Sequence, residues 1–283
     1  ALRETKPDVA VVCVGTFVED IYELLSGCLD AGVNVITTSE ELLYSWRTQP
    51  VLTADLDERA RRAGATLTGS GYTDYFWGGE IFQLAGCCHE IRRIAGIGQF
   101  NIDDYGPQVA HNNHVGESVA VFAEALGAGA PPSFFQTVGD LLCAHLGLSV
   151  ERVTEKIDPA TEDVDVRCAA LDVVVMAGDV TGKVTVVDVD TAEGTALHLE
   201  LRERLYLPGE TDFNRWVIEG MPPAVVENPS PVTDVLTCAT VVNRIPDVIA
   251  APPGYVTVDR LPPLRFRRNP LRTTNTATSD GGR

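Results

Sequence analysis

Positive charge is scarce in this chain. Its 283 residues carry 22 Lys+Arg against 40 Asp+Glu, a formal net charge of −18. Such a balance argues against partners with a phosphate backbone or an anionic headgroup surface, so neither nucleic acid nor membrane is expected. Long apolar runs are missing too. None approaches the roughly 20 residues of a membrane span, and no signal peptide precedes the first expected strand. The seven cysteines contain no C-x-x-C pair and are odd in number. They are read as reduced thiols of a cytoplasmic protein, not as a disulfide framework. Ser-His-Asp, Walker and H-E-x-x-H spacings are all absent. So is G-x-G-x-x-G, the glycine fingerprint with which a dinucleotide-binding domain opens.

What is present is an alternation of strand and helix. Val9–Val14 is a continuous apolar run, as a strand buried on both faces requires. Gly15-Thr16-Phe17 turns the chain, and Ile21, Leu24, Leu25, Cys28 and Leu29 then repeat at helical spacing. Val33–Thr38 reads as a second strand, Asp55–Ala63 as a polar helix stopped by Gly64, and Thr66–Thr68 as a third strand. Strand, helix, strand, helix, strand at these spacings describes a parallel sheet in a doubly wound α/β domain.

The most informative stretch is Gly32–Trp46, GVNVITTSEELLYSW. A β-branched run ends in Thr37-Thr38-Ser39, two glutamates follow, and Leu42, Leu43, Tyr44 and Trp46 continue at helical spacing. Ligands of open α/β sheets bind outside the carboxyl ends of the strands, so an acid placed there is a candidate for chemistry. With Thr38 as N-cap, Glu41 completes a T-x-x-E capping box. Glu40 is then left without a structural partner. The plainer reading is that it complements the helix dipole, an effect of about 0.3–1 kcal/mol.

From about Gly78 the pattern changes. Helices are expected over Gly79–Cys88, Glu117–Leu126 and Phe134–Leu146, with a strand over Glu90–Phe100. Cys168–Met176, Lys183–Val189 and Ala196–Tyr206 alternate Asp, His or Glu with Val and Leu, the pattern of antiparallel strands with one wet face. The Thr233–Ala250 helix returns to apolar periodicity and carries one polar residue, Asn243, among Val241, Val242 and Ile245. Beyond Asn269 the composition is that of a disordered tail. This divides the chain into 1–77, an α/β portion; 78–232, a domain with an open, largely antiparallel sheet typical of substrate binding or dimerisation; 233–264, a helix and segment returning to the first; and a tail over 265–283.

Two further motifs bear on function. Gly69–Gly78, GSGYTDYFWG, concentrates aromatics just past a strand end. It could line an apolar pocket or form the packing between two domains. His111 and His114 lie at i, i+3, but a metal site needs a third ligand and Asn112-Asn113 suggests a loop, so no metal is expected.

NVITTSEELLYSW, GSGYTDYFWGG, LAGCCHEIRRIAGIGQFNIDDYG and VVNRIPDVIAAPPGYVTVDRLPPL together resemble the native amine dehydrogenases, relatives of 2,4-diaminopentanoate dehydrogenase and, more distantly, of dihydrodipicolinate reductase. The similarity runs from about Asp8 to Leu264. It implies a cytoplasmic homodimer that uses NADP or NAD to interconvert a small amine with a ketone or aldehyde plus ammonia, on a Rossmann domain and an α+β catalytic domain. It also implies that Glu40, first of the glutamate pair, is the catalytic acid, that Tyr72, Trp77 and Tyr105 surround the amine, and that relatives carry the glycine fingerprint in an N-terminal portion this chain lacks. Gly15, Thr16, Phe17, Thr38 and Ser39, at strand ends, would then face the nicotinamide, and Asn243 could bond its carboxamide or be a satisfied helix amide. The alternatives are a dehydrogenase of the 2,4-diaminopentanoate type and a non-catalytic, dimerising remnant.

Overall fold

The β-branched runs near the N-terminus form the expected parallel strands, and what packs on them explains the spacing. A computed structural model describes residues 2–127 and 133–268. In chain order its elements are α1 (Leu2–Thr5), β1 (Val9–Val12), α2 (Val18–Asp30), β2 (Asn34–Thr37), α3 (Pro50–Ala63), β3 (Thr66–Gly69) and α4 (Tyr72–Asp74). Then come α5 (Glu80–Ala85), β4 (Glu90–Asn101), α6 (Gly106–Asn112), α7 (Val119–Gly127), α8 (Gln136–Leu146), β5 (Val150–Thr161), β6 (Val166–Cys168) and β7 (Val173–Val175). The chain closes with β8 (Val180–Thr191), β9 (Ala196–Arg204), β10 (Phe213–Met221), β11 (Ala224–Pro229), α9 (Thr233–Ala250) and β12 (Gly254–Tyr255).

The first sheet is parallel throughout, in the order β1-β2-β3-β12. Side chains alternate across it, as the pleat demands. Val12, Val35 and Leu67 meet Leu25, Leu29 and Leu56 of α2 and α3, whereas Ile36 points the other way, to Val241 and Val248 of α9. Helices thus cover both faces, the doubly wound arrangement. The second sheet has the order β11-β10-β4-β9-β8-β5. It is antiparallel except at β4·β9, which pair in parallel. Its inner face, carrying Ile94, Leu199 and Trp216, packs on α5 and α8 to form the largest core, with Trp77 and Leu141.

Several expectations are corrected. The first strand is not buried on both faces: Val11 and Val14 are 48% and 72% exposed, and Leu24 of α2 is also exposed. The helix expected after Ser39 is a single 3₁₀ turn, Glu41–Leu43. In an α-helix the Leu42 carbonyl would accept from residue 46. Here it accepts from the Tyr255 hydroxyl at 2.8 Å, which in turn accepts from the Ser45 N–H at 3.2 Å. The end of β3 presses on the same place, since a Cβ on Gly69 would stand 2.2 Å from the Leu42 oxygen. Helix α3 begins earlier than expected, at Pro50, where a missing N–H costs nothing.

The helix expected over Gly79–Cys88 begins at Tyr72. Residues Tyr72–Ala85 are continuously helical through a π turn at Tyr75–Gly79. The Cys168–Met176 strand is broken into the hairpin β6–β7 by Asp172, which sits at φ 58°. Strands β5, β10, β11 and β12 have no counterpart among the expected elements. At the C-terminal end, Arg267 docks on α9 by donating its backbone N–H to Asn243 Oδ1 at 3.0 Å and its guanidinium to Asp247. The remainder of the expected tail, from 269, lies outside the described residues.

Candidate active site

The two adjacent glutamates of the 3₁₀ turn have separate surroundings. Glu41 is 4% exposed, and its Oε2 accepts the Val18 N–H at 2.7 Å. It therefore caps α2 from outside, satisfying one of the orphan donors of that helix. The capping box with Thr38 is corrected by this contact; Glu41 keeps a structural role through a different helix. Its own N–H goes to the Thr16 carbonyl at 3.2 Å, and Ser39 Oγ donates to the same oxygen at 2.5 Å. The turn after β1 and the turn after β2 are tied together there, which sets the direction of the intervening Glu40.

Glu40 faces a cavity of about 440 Å³ formed where the carboxyl ends of β1, β2 and β3 meet the second sheet. Removal from water pushes its carboxyl up to about 7, and the nearby Glu203 charge adds to the rise; hydrogen bonds from its own backbone N–H and from Thr16 act the other way. The raised value arises as expected for a desolvated carboxyl. Near neutral pH such a group can both take and give a proton.

Around the acid the cavity is mostly aromatic. Tyr72, Trp77, Phe100, Tyr105 and Phe134 all line it. The Tyr72 and Trp77 rings meet edge to face at 6.1 Å, and Trp77 stacks on Phe134 at 6.3 Å. The π turn Tyr75–Gly79 carries Trp77 into this wall. It leaves the Phe76 carbonyl to be bonded by the Trp216 indole at 2.8 Å, and π turns are often found at functional sites. Trp216 in turn needs Gly96, where a Cβ would come within 2.2 Å of its ring. Tyr105 closes one side, its hydroxyl paired with Thr233 at the start of α9. The choice between pocket and packing thus resolves as both, because Trp77 is 5% exposed in the main core and also lines the cavity.

Of the residues expected to face a cofactor, Thr16 and Thr38 stand on the cavity wall. Gly15 packs against Ile21, with 2.7 Å between a built Cβ and Cγ2. Phe17 is the residue preceding α2, and the Ser39 hydroxyl is spent on Thr16. Asn243 lies away from the cavity, its amide oxygen occupied by Arg267, so it reads as a satisfied helix amide. His111 sits in α6, and His114 contacts Glu117 at 2.8 Å. No group of three or more His, Cys, Asp or Glu suited to a metal occurs among the described residues.

Sequence reasoning missed Glu203. It too lines the cavity, is 5% exposed and stands across the strand pair from Lys183, with 3.6 Å between Nζ and Oε2. Burial raises its carboxyl above the ordinary range. The signal was there to read: Leu197, Leu199, Leu201 and Glu203 occupy one phase of β9, so an acid takes an apolar position. Among the described residues no Lys or Arg lines the cavity. Arg92 and Arg93 are bound to Glu90 and Glu219, each at 3.0 Å, at the other end of β4.

Comparison with known proteins matches this architecture. Residues 79–274 match the family model of the 2,4-diaminopentanoate dehydrogenase C-terminal domain. The 2,4-diaminopentanoate dehydrogenase of Acetoanaerobium sticklandii is 24% identical over 275 residues, spanning 92% of this chain and 75% of that protein. A structure of amine dehydrogenase from Mycobacterium smegmatis is 45% identical, with a TM-score of 0.90 over 94% of this chain and 79% of that one. A UDP-N-acetylglucosamine 3-dehydrogenase from Acidithiobacillus ferrooxidans shares the fold alone, at 10% identity and a TM-score of 0.51 over 90% of this chain and 75% of that one. The chain belongs to the amine dehydrogenase and 2,4-diaminopentanoate dehydrogenase family.

Proposed function

We propose that this dehydrogenase oxidises a small amine to a ketone or aldehyde plus ammonia, reversibly, with NADP or NAD as hydride acceptor. The observation that carries the reading is Glu40, a carboxyl held near pKa 7 in an aromatic cavity at the ends of parallel strands. A nicotinamide cofactor fits the remaining wall. The hydroxyls of Thr16 and Thr38 and the side-chain-free Gly71 stand beside the acid, and Gly71 holds φ +111°, with only 3.2 Å between a built Cβ and Thr237. When bound there, the cofactor supplies an acceptor for the hydride lost from the amine carbon.

The protein's own residues then have definite tasks. Glu40 takes the proton from the entering ammonium, so that the nitrogen lone pair can assist hydride loss. Glu40 passes that proton on to solvent, and the regenerated carboxylate faces the iminium as a counter-charge. Water adds to the iminium carbon as Glu40 takes one of its protons and passes it to the nitrogen; ammonia then leaves as the remaining O–H gives its proton to Glu40 and the carbonyl forms. Tyr72, Trp77 and Tyr105 exclude bulk water and limit the size of the alkyl groups. The absence of Lys and Arg from the cavity wall, among the described residues, favours an amine without a carboxylate over a diamino acid. We also take the enzyme to work as a cytoplasmic homodimer.

The test has two parts on the full chain. NADPH and NADH fluorescence titrations should each report whether the cofactor binds, and their ratio gives the preference. Glu40→Gln should keep cofactor affinity within a few-fold while turnover of small amines falls at least a hundredfold, the scale of a lost general acid–base. Activity retained in Glu40→Gln would remove it from the chemistry.

A further inference from the structure

The cavity holds more negative charge than one proton transfer needs. On β9 the other charged residues, His198, Glu200, Arg202 and Arg204, take the partly exposed phase, and His198, Glu200 and Arg202 find partners there in Asp188 and in each other. Glu203 takes the inward phase in line with three leucines. Its cross-strand partner Lys183 forms an ion pair with it at 3.6 Å from outside the cavity wall. Asn113 adds a hydrogen bond. Its carboxylate is therefore buried, paired with a cation behind the wall, and itself on the wall of the space that Glu40 faces. One cation, Lys183, then stands against the two carboxylates of a desolvated space, which leaves the cavity favouring a further positive charge. A buried charge is retained at low cost only when it is paired.

We propose that Glu203 is a second ammonium-binding carboxylate of this cavity, separate in task from Glu40. This rests on the amine reading above. Glu40 serves the nitrogen that reacts, and Glu203 holds a second cationic nitrogen. That cation has two possible sources, a second ammonium on the substrate or the free ammonium ion consumed in reductive amination. The chemistry is the same in both: an N–H donor of positive charge replaces the water that Glu203 lost on folding. Glu203 is a specificity residue under this assignment, not a proton carrier.

Glu203→Gln keeps shape and removes the charge, and three measurements on the full-length protein separate the sources. First, kcat/KM for oxidation is compared among 2-aminobutane, 1,3-diaminobutane and 1,4-diaminopentane. A substrate-borne ammonium predicts that the wild type favours a diamine at least tenfold and that the variant loses this preference, read as the ratio of the diamine and 2-aminobutane kcat/KM values within each protein. Second, butanone is reductively aminated at varied ammonium concentration. A free-ammonium site predicts that KM for ammonium rises at least tenfold in the variant, and rises far more than KM for butanone. Third, calorimetry measures amine and ammonium binding with no turnover. Stronger wild-type binding of a diamine over 2-aminobutane, or of ammonium over the variant's, supports the assignment even if no substrate is oxidised, an outcome that would sink the amine dehydrogenase reading instead. The wild-type comparison needs no variant, so an unfolded Glu203→Gln does not rescue the idea. If the wild type shows no diamine preference and no ammonium binding, or if Glu203→Gln changes neither, Glu203 is only the partner of Lys183.

Discussion

Glu40 and Glu41 are the same residue type at neighbouring positions, and the difference in their tasks comes from what each carboxylate meets. Glu41 accepts a backbone N–H of α2 at 2.7 Å. Glu40 faces the aromatic cavity and is removed from water. A carboxyl whose folded value stands above its ordinary 4.5, here at about 7, binds more protons folded than unfolded. Its contribution to stability is therefore greatest below about pH 4.5 and is lost as pH rises to about 7. At pH 8 Glu40 burdens the fold, and Glu40→Gln should stabilise the inactive protein by about 2 kcal/mol, discounted for partial solvent contact. At pH 4 the two proteins should melt alike. Urea titrations at both pH values decide this, and equal stability at pH 8 would mean that the carboxyl is not desolvated. The same group should make kcat/KM for amine oxidation rise with pH through an apparent value near 7. Beside it, Trp77→Ala should open the cavity toward bulkier amines at a cost of about 3–5 kcal/mol in stability. An unchanged substrate profile would return Trp77 to the core alone.

At the level of elements, the site depends on how α4 and its π turn are anchored. Asp74 and Arg244 form a bidentate pair at 2.6 and 2.7 Å, with side chains 0% and 3% exposed. Ser70 also donates to Asp74. This pair joins the helical run Tyr72–Ala85 to α9, both of which supply cavity walls. Arg244→Met leaves Asp74 buried without its cation and should cost about 3–5 kcal/mol, measured by chemical denaturation; a loss below 1 kcal/mol would show that the pair is dispensable. The elements that were legible in sequence are those whose period is uninterrupted, such as α8 and β9. The helical spacing of Leu42, Leu43 and Tyr44 misled because Tyr255, more than 200 residues later, takes the carbonyl that the helix needed. Strand β5 was invisible because it is an edge strand with little apolar alternation and tolerates Pro159. Glu40 stood out because its neighbour had a cap to make. Glu203 was hidden because a single acid in a leucine phase looks like the wet end of a strand until the opposite wall of the cavity is in place.

For the whole molecule, shape and charge make separate predictions. Val173, Val174 and Met176 on and beside the β6–β7 hairpin are 41%, 52% and 56% exposed, an apolar surface in keeping with the proposed homodimer. Sedimentation equilibrium should give twice the chain mass, and Val174→Glu should shift it toward the monomer if this hairpin is the contact. Charge acts over longer range. The net −18 surrounds a cavity walled by Glu40, Glu203 and Asp234, with no Lys or Arg among its described lining residues. The potential of such a surface concentrates cations and repels anions at low ionic strength. A small amine is protonated near neutral pH, so it arrives as a cation, whereas its carbonyl product is neutral. Added salt shortens the screening length to about 10 Å at 0.1 M and about 3 Å at 1 M. Raising NaCl from about 10 mM to 0.5 M should then lower kcat/KM for the amine several-fold and leave KM for the neutral carbonyl nearly fixed. Equal sensitivity of both would point to salt acting on the cofactor or the fold. Insensitivity of both would mean that the acidic surface has no part in capturing the substrate, and that discrimination for amines begins only inside the cavity, at its two glutamates.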